Sequence, residues 1–270
     1  MKIKVGCIQL LVEGGEPDRN INRAKKFIEE AALTGCKLVI LPETIDFGWT
    51  HPSLRNKADL IPGYFSNFFS RIAKDLSIFI CVGLTEKFFI ENELKFYNTA
   101  ILIDDNGEII LKHRKINEIG EAKNFYETGH KTEVINTAIG CIGLNICSDN
   151  YPSSLEIGSC LGVMGANLLI SPSSWTIENS YDHSKNPYLD KWLDPLKFLA
   201  EKYKMTIIAT TSVGYIVGGP FENRKMLGCS LIVNENGLVK MGNLNEIATE
   251  LIIEEIEIKK KNKIFQKIIS

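Results

Sequence analysis

The sequence lacks the features that mark several large classes of protein. It contains no run of about 18 apolar residues, so we expect no membrane-spanning helix and no membrane partner. The N-terminus has no long apolar core before a small-residue cleavage site, which predicts no signal peptide. The formal net charge is only -2, and the tail segment Lys259 to Lys261 is the longest run of one sign. We therefore expect no nucleic-acid partner.

Motifs for common cofactors and nucleophiles are missing as well. There is no G-x-S-x-G turn of a serine hydrolase, no phosphate-binding loop and no dinucleotide fingerprint. The seven cysteines are odd in number, scattered and without a C-x-x-C pair, which argues against a zinc site or a disulfide framework. We expect a chain without metal or organic cofactor, in a reduced, cytoplasmic setting.

Strand and helix patterns alternate along the whole chain. The chain has 270 residues, of which 44% are apolar, and no Ser/Gly-rich linker divides it. Helical spacing of apolar residues predicts helices over residues 18–37, 63–76, 155–164 and 190–203. Strands are predicted over residues 3–10, 38–41, 78–84, 98–104, 108–111, 134–137, 141–146, 167–171, 206–211, 229–233, 238–241 and 250–258. These patterns predict one α/β domain over residues 1–258 and a tail over residues 259–270.

Three reactive side chains each follow a strand-like run. Cys147 ends the run from Gly140, and polar turn-forming residues follow it. Glu43 comes after a short buried strand and Pro42, and Lys115 ends a basic run after another strand. A thiol, a carboxylate and an amine together can form an acyl-transfer site. On position alone, Cys147 could equally be a buried structural thiol, and Lys115 one of several solvated cations.

Four segments show a resemblance to a known family. They are Leu41-Pro42-Glu43, His113-Arg114-Lys115-Ile116, the seven residues from Gly143 to Asp149, and Gly165 to Trp175. In their order and spacing, they resemble the nitrilase superfamily of carbon–nitrogen hydrolases over residues 3 to 258. The resemblance implies a four-layer αββα sandwich, which is an α/β fold of two mixed β-sheets flanked by helices.

The resemblance also implies roles for particular residues. It implies a catalytic triad of Glu43, Lys115 and Cys147, with the Ser148 backbone N–H as an oxyanion donor. A second glutamate is expected near the substrate amide. Glu121 is chosen for this place because it precedes the next family landmark, and Glu118 is its competitor.

The same resemblance points to further site residues. It suggests Ser173 and Trp175 as substrate-binding residues, although Trp175 could simply belong to the core. Two positions depart from the family pattern, because Asn117 stands where histidine is common and Ser153 where glutamate is common. We expect these departures to alter the geometry or substrate range of the site.

The expected activity is hydrolysis of a non-peptide C–N bond in a small linear amide or carbamoyl amide, through a cysteine thioester. The chain ends at residue 270, whereas nitrilases that act on nitriles tend to be longer, which favours an amidase or carbamoylase. A nitrilase acting on a small nitrile and a non-catalytic scaffold are the alternatives. The resemblance also implies a homodimer or a higher homo-oligomer.

Overall fold

The computed structural model describes residues 1–182 and 188–259 of the chain. Its strands are β1 (Lys2–Gln9), β2 (Leu38–Ile40), β3 (Phe79–Ile90), β4 (Glu93–Ile103), β5 (Ile109–Arg114), β6 (Val134–Thr137), β7 (Gly140–Leu144), β8 (Leu168–Ser173), β9 (Thr176–Ile177), β10 (Thr206–Thr211), β11 (Val213–Tyr215), β12 (Lys225–Leu227), β13 (Leu231–Asn234), β14 (Gly237–Met241) and β15 (Glu250–Glu257). Its α-helices are α1 (Pro17–Leu33), α2 (Leu54–Lys57), α3 (Tyr64–Leu76), α4 (Leu155–Val163) and α5 (Tyr188–Tyr203).

Two six-stranded mixed sheets form the centre of the fold. The first sheet has the order β15-β1-β2-β3-β4-β5, and the second has the order β14-β13-β10-β8-β7-β6. The sheets lie face to face, with β1 against β10 and β3 against β8. Helices α1 and α3 pack on the outer face of the first sheet, while α5 packs on the second sheet and against α4. These layers form the predicted four-layer αββα sandwich.

The alternation of apolar side chains along each strand explains the layers. Leu38 and Ile40 of β2 belong to the core between the two sheets, whereas Val39 belongs to the core under α1 and α3. In β3, Cys81 belongs to the core between the two sheets, and Ile80 belongs to the core under α1 and α3. A strand with apolar residues on both faces can be buried only if both faces of its sheet are covered.

The strand ends bring distant parts of the chain to one place. β2 runs parallel to β3, and β3 is antiparallel to β4, which is antiparallel to β5. The C-terminal ends of β2 and β5 therefore lie at the same edge of the first sheet. In the second sheet, β7 runs parallel to β8, which contacts β3 of the first sheet. Residues that follow β2, β5 and β7 can consequently meet.

Several element boundaries differ from the sequence-based prediction. α1 ends at Leu33 instead of residue 37, because Gly35 adopts a left-handed conformation with φ of 84°. β13 begins at Leu231 instead of residue 229, because Cys229 also has a positive φ, of 72°.

The β3–β4 hairpin is longer than the prediction. It pairs continuously from Ile80 with Ile103 out to Ile90 with Glu93. A small third sheet of β9, β11 and β12 was not predicted. Its strands have only two or three residues each, too few to show a period in the sequence.

Two expectations concern the limits of the domain and its relation to membranes. The predicted tail over residues 259–270 lies outside the described residues, apart from Lys259. Each helix within residues 1–182 and 188–259 is too short or too polar to span a bilayer.

Candidate active site

Glu43 follows β2 and is almost completely buried, with 1% of its surface exposed. Its Oε1 accepts hydrogen bonds from Lys115 Nζ at 2.6 Å and from Asn98 Nδ2 at 2.5 Å. The turn that carries it packs tightly on β3, because a Cβ atom at Gly83 would lie 2.6 Å from the Glu43 Cα. Gly83 therefore permits the close approach that fixes the Glu43 backbone.

Lys115 follows β5 and has only 1% of its surface exposed. Its backbone N–H donates to Asn98 O at 2.8 Å, so the same residue of β4 orients both Lys115 and Glu43. Lys115 Nζ also lies 3.8 Å from Glu118 Oε2. Burial opposes the charge of the ammonium group, but Glu43, Glu118 and Cys147 outweigh it and raise the pKa of Lys115 well above its usual value. The ammonium is therefore a fixed positive charge within the site.

Cys147 begins a short 3-10 turn, separated from β7 by Asn145 and Ile146, and has 5% of its surface exposed. Its φ is +45°, a left-handed conformation that a residue with a side chain rarely adopts. Backbone strain of this kind is concentrated at functional sites, where the surrounding structure maintains it. The thiol consequently projects from a sharp turn at the end of a buried strand.

Electrostatics keep the thiol of Cys147 protonated. Burial and then the charge of Glu43 raise its pKa, and a hydrogen bond to Glu43 acts in the same direction. The ammonium of Lys115 and the backbone N–H of Ser174 lower it, but they do not reverse the shift. Because Glu43 lies close enough to raise the pKa of the thiol, its carboxylate is positioned to take the thiol proton as the sulfur attacks a carbonyl carbon.

Of the two candidate glutamates, Glu118 lies beside Lys115, whereas Glu121, the residue chosen from the sequence, lies on the surface. Glu118 is 2% exposed and lies beside Lys115. Glu121 lies in the 3-10 turn Gly120–Asn124, where Ala122 turns inward and Glu121 is exposed and bonded to Asn124 Nδ2 at 2.7 Å. Burial raises the pKa of Glu118 to about 8, although Lys115 acts against this shift. The carboxyl group is therefore protonated at neutral pH and can donate a hydrogen bond.

Asp149 connects the turn of Cys147 to the segment after Lys115. Its Oδ1 accepts hydrogen bonds from the backbone N–H groups of Ile116 and Asn117, and its Oδ2 accepts one from Ile146 at 2.9 Å. Oδ2 also lies 2.8 Å from His113 Nε2. The buried carboxylate thus fixes the two catalytic segments relative to each other, as the charged acceptor of several bonds.

The two departures from the family pattern lie in different surroundings. Asn117 Nδ2 donates to Ser148 O at 2.8 Å and to Ser154 Oγ at 3.1 Å, so it strengthens the same connection as Asp149. Ser148 Oγ donates back to Asn117 O at 2.5 Å. Ser153 is exposed. The Ser148 backbone N–H directly follows Cys147, and its role as an oxyanion donor stays a prediction.

A cavity of about 120 Å³ opens onto Cys147. Its wall includes aromatic and small polar residues and two cations, Lys191 and Arg224. The other residues of the wall are Trp49, Ile119, Gly120, Tyr151, Ser174, Thr176, Trp192 and Phe221. Trp49 stacks on Phe221 with ring centroids 4.4 Å apart and lies 5.8 Å from Lys115 Nζ. The cavity therefore joins the reactive sulfur to an apolar wall with two basic groups.

Ser173 and Trp175, the predicted substrate-binding residues, lie just behind this wall. Ser173 Oγ donates to Ser171 O at 3.2 Å, and the Ser173 carbonyl accepts the Glu43 backbone N–H. Trp175 is 2% exposed and stacks on Trp192, with centroids 4.5 Å apart. Ser174, which lies between them in the link from β8 to β9, lines the cavity instead.

The sequence-based reasoning missed most of the cavity wall. Trp49 and Phe221 come from separate loops, and their stacking has no signal in one sequence. Lys191 lies between Asp190 and Trp192, and Arg224 lies next to Lys225, so nothing in the local pattern marks either residue as part of a site. Among residues 1–182 and 188–259, no group of three or more histidine, cysteine, aspartate or glutamate side chains could hold a metal ion.

The chain is similar to known proteins both in sequence and in structure. The model of the carbon–nitrogen hydrolase family matches residues 4–261. A nitrilase of Pyrococcus abyssi is 28% identical over 262 residues, which cover 95% of this chain and 90% of that protein. The omega-amidase NIT3 of Saccharomyces cerevisiae is 31% identical over 192 residues, 64% of each chain. The crystal structure of a carbon–nitrogen hydrolase from Helicobacter pylori G27 superposes with a TM-score of 0.83 at 21% identity, over 99% of this chain and 92% of that one.

Proposed function

Because the chain belongs to the carbon–nitrogen hydrolase family, we propose that it hydrolyses a small linear amide or carbamoyl amide through a thioester at Cys147. One observation carries this proposal. The buried Glu43–Lys115 pair, joined at 2.6 Å, lies against a thiol that lines a cavity. A buried pair of charges costs desolvation energy, and a functional role for the pair accounts for that cost better than stability does.

The first half of the reaction forms the thioester. The sulfur of Cys147 attacks the carbonyl carbon of the amide as Glu43 takes the thiol proton. Lys115 stabilises the negative charge that develops on the carbonyl oxygen, together with the backbone N–H of Ser148. Such preorganised donors each contribute about 3 kcal/mol to transition-state stabilisation. The tetrahedral intermediate collapses, and the C–N bond breaks as Glu43 returns the proton to the leaving nitrogen.

The second half of the reaction releases the acid. Ammonia or an amine leaves the cavity, and a water molecule takes its place. Glu43 accepts a proton from this water as its oxygen attacks the thioester carbon, and the C–S bond then breaks. The sulfur regains its proton, and the carboxylic acid product departs. Protonated Glu118 is positioned beside Lys115 to donate a hydrogen bond to the substrate.

The names of the relatives support hydrolysis of a C–N bond and leave two substrate classes. Omega-amidase and nitrilase both occur among the proteins that resemble this chain. Nitrile hydrolysis is the second candidate, favoured by the match to the Pyrococcus abyssi nitrilase over 95% of this chain. An amide is preferred because neutral Glu118 can donate a hydrogen bond to its carbonyl oxygen or accept one from its NH₂ group.

The test is release of ammonia from a panel of small amides, carbamoyl compounds and nitriles. We expect turnover of at least one linear amide or carbamoyl amide, and none in Cys147→Ala. The matched control is Cys160→Ala, which removes an exposed cysteine outside the cavity and should leave the rate unchanged. Turnover of nitriles alone would favour the second candidate. Wild-type rates in Cys147→Ala would refute the thioester route.

We also propose a homodimer or higher homo-oligomer in a reduced, cytoplasmic setting. Val163, Met164 and Phe198 are exposed on α4, at its end and on α5, and could be covered by a second copy. None of the seven cysteines, all of which lie in the described part of the chain, forms a disulfide, which fits a reducing compartment. Light scattering tests the assembly, since a mass of 30.3 kDa would show a monomer.

A further inference from the structure

We propose that Asn98 is a positioning residue that reserves the Oε2 atom of Glu43 for the proton of Cys147. This inference rests on the proposed function and deepens it, because it assigns the base to one oxygen of one carboxylate. The two oxygens of a free carboxylate are equivalent acceptors, but those of Glu43 have different surroundings. The difference comes from two donors that both bind Oε1, one from β4 and one from the segment after β5.

The Oε1 atom of Glu43 is occupied by these two donors. It accepts a hydrogen bond from Asn98 Nδ2 at 2.5 Å and another from Lys115 Nζ at 2.6 Å. Both donors are buried, and both bonds are made to a charged acceptor, so water does not readily replace them. A proton that moved from the sulfur to Oε1 would have to displace one of these donors.

The Oε2 atom of Glu43 is buried but has no hydrogen-bond donor among residues 1–182 and 188–259. A buried acceptor without a partner is rare and calls for a reason. Cys147 supplies the reason, because Glu43 lies close enough to raise the pKa of its thiol. Since Oε1 already has two donors, Oε2 is the oxygen whose lone pairs are free for the thiol proton.

Asn98 is itself held firmly in the first sheet. It lies in the middle of β4, pairs with Thr85 of β3 and is completely buried. Its backbone carbonyl accepts the backbone N–H of Lys115 at 2.8 Å. Asn98 therefore positions both donors of Oε1, one through its side chain and the other through its backbone. Charge fixes the orientation of the amide, since Oδ1 at this distance from a carboxylate oxygen would be repelled.

Asn98 also helps to make Glu43 rather than Glu118 the base. Its amide binds Glu43 directly, which stabilises the ionised form of that carboxylate. Burial raises the pKa of Glu118 to about 8, and a hydrogen bond from Asn98 opposes this shift only weakly. The charged and titratable groups that act on these two carboxyl groups or face them are Lys115, Cys147, Asp149 and Tyr126.

Alkylation of Cys147 by iodoacetamide tests this role without requiring turnover. The sulfur gives its proton to Glu43, forms a C–S bond with the methylene carbon and displaces iodide. Mass spectrometry of the Cys147 peptide gives the rate at each pH. We expect Asn98→Leu to slow alkylation about tenfold at neutral pH and to move its acid limb up by about one pH unit, because the carboxylate loses a donor. The peptide of the exposed Cys160 should react at an unchanged rate.

A double-mutant cycle shows whether Asn98 acts through Glu43. In Glu43→Gln, which lacks the base, adding Asn98→Leu should slow alkylation of Cys147 by no more than about twofold. A residue that only supported the fold would slow the reaction equally in both backgrounds. If Asn98→Leu does not fold, as judged by circular dichroism, Asn98→Ala carries the same predictions.

Thr99→Val is the matched control for a lost buried hydrogen bond. Thr99 is the next residue of β4, is equally buried, and donates from Oγ1 to Glu86 Oε2 at 2.9 Å, away from the described cavity wall. This variant should keep the wild-type pH profile even where its stability falls. A wild-type profile in the Asn98 variant, equal slowing in both backgrounds, or no alkylation of Cys147 in the wild type would overturn the proposal.

Amide turnover separates this inference from the proposed function. We expect the acid limb of kcat/KM to move in Asn98→Leu in the same direction as the acid limb of alkylation. Hydrolysis of an amide with an unchanged acid limb in this variant would refute the role of Asn98 and leave the hydrolase intact. The expected alkylation results without hydrolysis of any amide would refute the hydrolase and support the positioning role.

Discussion

Glu118 and Glu121 show how much the surroundings of a residue decide its chemistry. Both are glutamates of one short segment, and the sequence alone favoured the one that the structure places on the surface. Glu118 lies in the extended chain after β5, whereas Glu121, three residues later, lies in a 3-10 turn. The two side chains therefore point in different directions. Glu118 is enclosed beside Lys115, and burial raises the pKa of its carboxyl group to about 8, whereas Glu121 is exposed to solvent.

The raised pKa of Glu118 predicts a pH dependence. Since the protonated form exists below a pKa of about 8, hydrogen-bond donation is present there and is lost as the pH rises through 8. Wild-type kcat/KM should fall above this pH by up to about tenfold per pH unit. Glu118→Gln keeps an uncharged donor, so its profile should lack this alkaline decline. Glu121→Gln is the matched control and should follow the wild type. A decline that persists unchanged in Glu118→Gln would contradict the role of this proton.

At the scale of elements, the site depends on a connection between two sheets. β5 belongs to the first sheet and β7 to the second; Lys115 directly follows β5, and Cys147 lies shortly after β7. Asp149 connects the segments after them through backbone hydrogen bonds on both sides. The strand ends themselves could be predicted from apolar runs that stop at polar residues. The connection could not, because a carboxylate after a cysteine looks the same in sequence whether it caps a turn or joins two sheets.

Replacing Asp149 should therefore affect both stability and rate. Asp149→Asn would point an NH₂ group at backbone donors, and we expect the free energy of unfolding to fall by about 2–4 kcal/mol. In the variant that still folds, kcat should fall by at least about tenfold with little change in KM, because the two catalytic segments shift. Urea unfolding and steady-state kinetics measure the two effects. Asp105→Asn, in the exposed turn between β4 and β5, is the control. Equal behaviour of the two variants would refute the connection.

The same carboxylate predicts the acid sensitivity of the fold. Burial opposes ionisation of Asp149, but the contact with His113 and the backbone N–H donors prevail and hold its pKa below the usual value. A group of this kind stabilises the folded state above its unfolded pKa. We expect that stability to be lost as the pH falls through the folded pKa, and Asp149→Asn to show less of this loss. Urea unfolding at several acidic pH values measures it.

At the scale of the whole molecule, the αββα sandwich brings residues that are far apart in the sequence to one place. Glu43 and Lys115 come from one sheet and Cys147 from the other, and the facing of β3 and β8 brings them together. Local patterns and the family resemblance were sufficient to predict the layers and these three positions. The cavity wall was not predictable, because the stacking of Trp49 on Phe221 joins two loops that lack a periodic pattern.

The central claim is that Cys147 becomes acylated during turnover, with Glu43 and Lys115 beside it. The most direct measurement is mass spectrometry of protein quenched in acid during reaction with an amide substrate. We predict an added acyl group on the peptide that contains Cys147, which disappears in Cys147→Ala. Glu43→Gln and Lys115→Met should form at most traces of it, while Cys160→Ala should form it at the wild-type rate. Turnover with no acyl group on Cys147 would contradict the account, as would an acyl group on another cysteine.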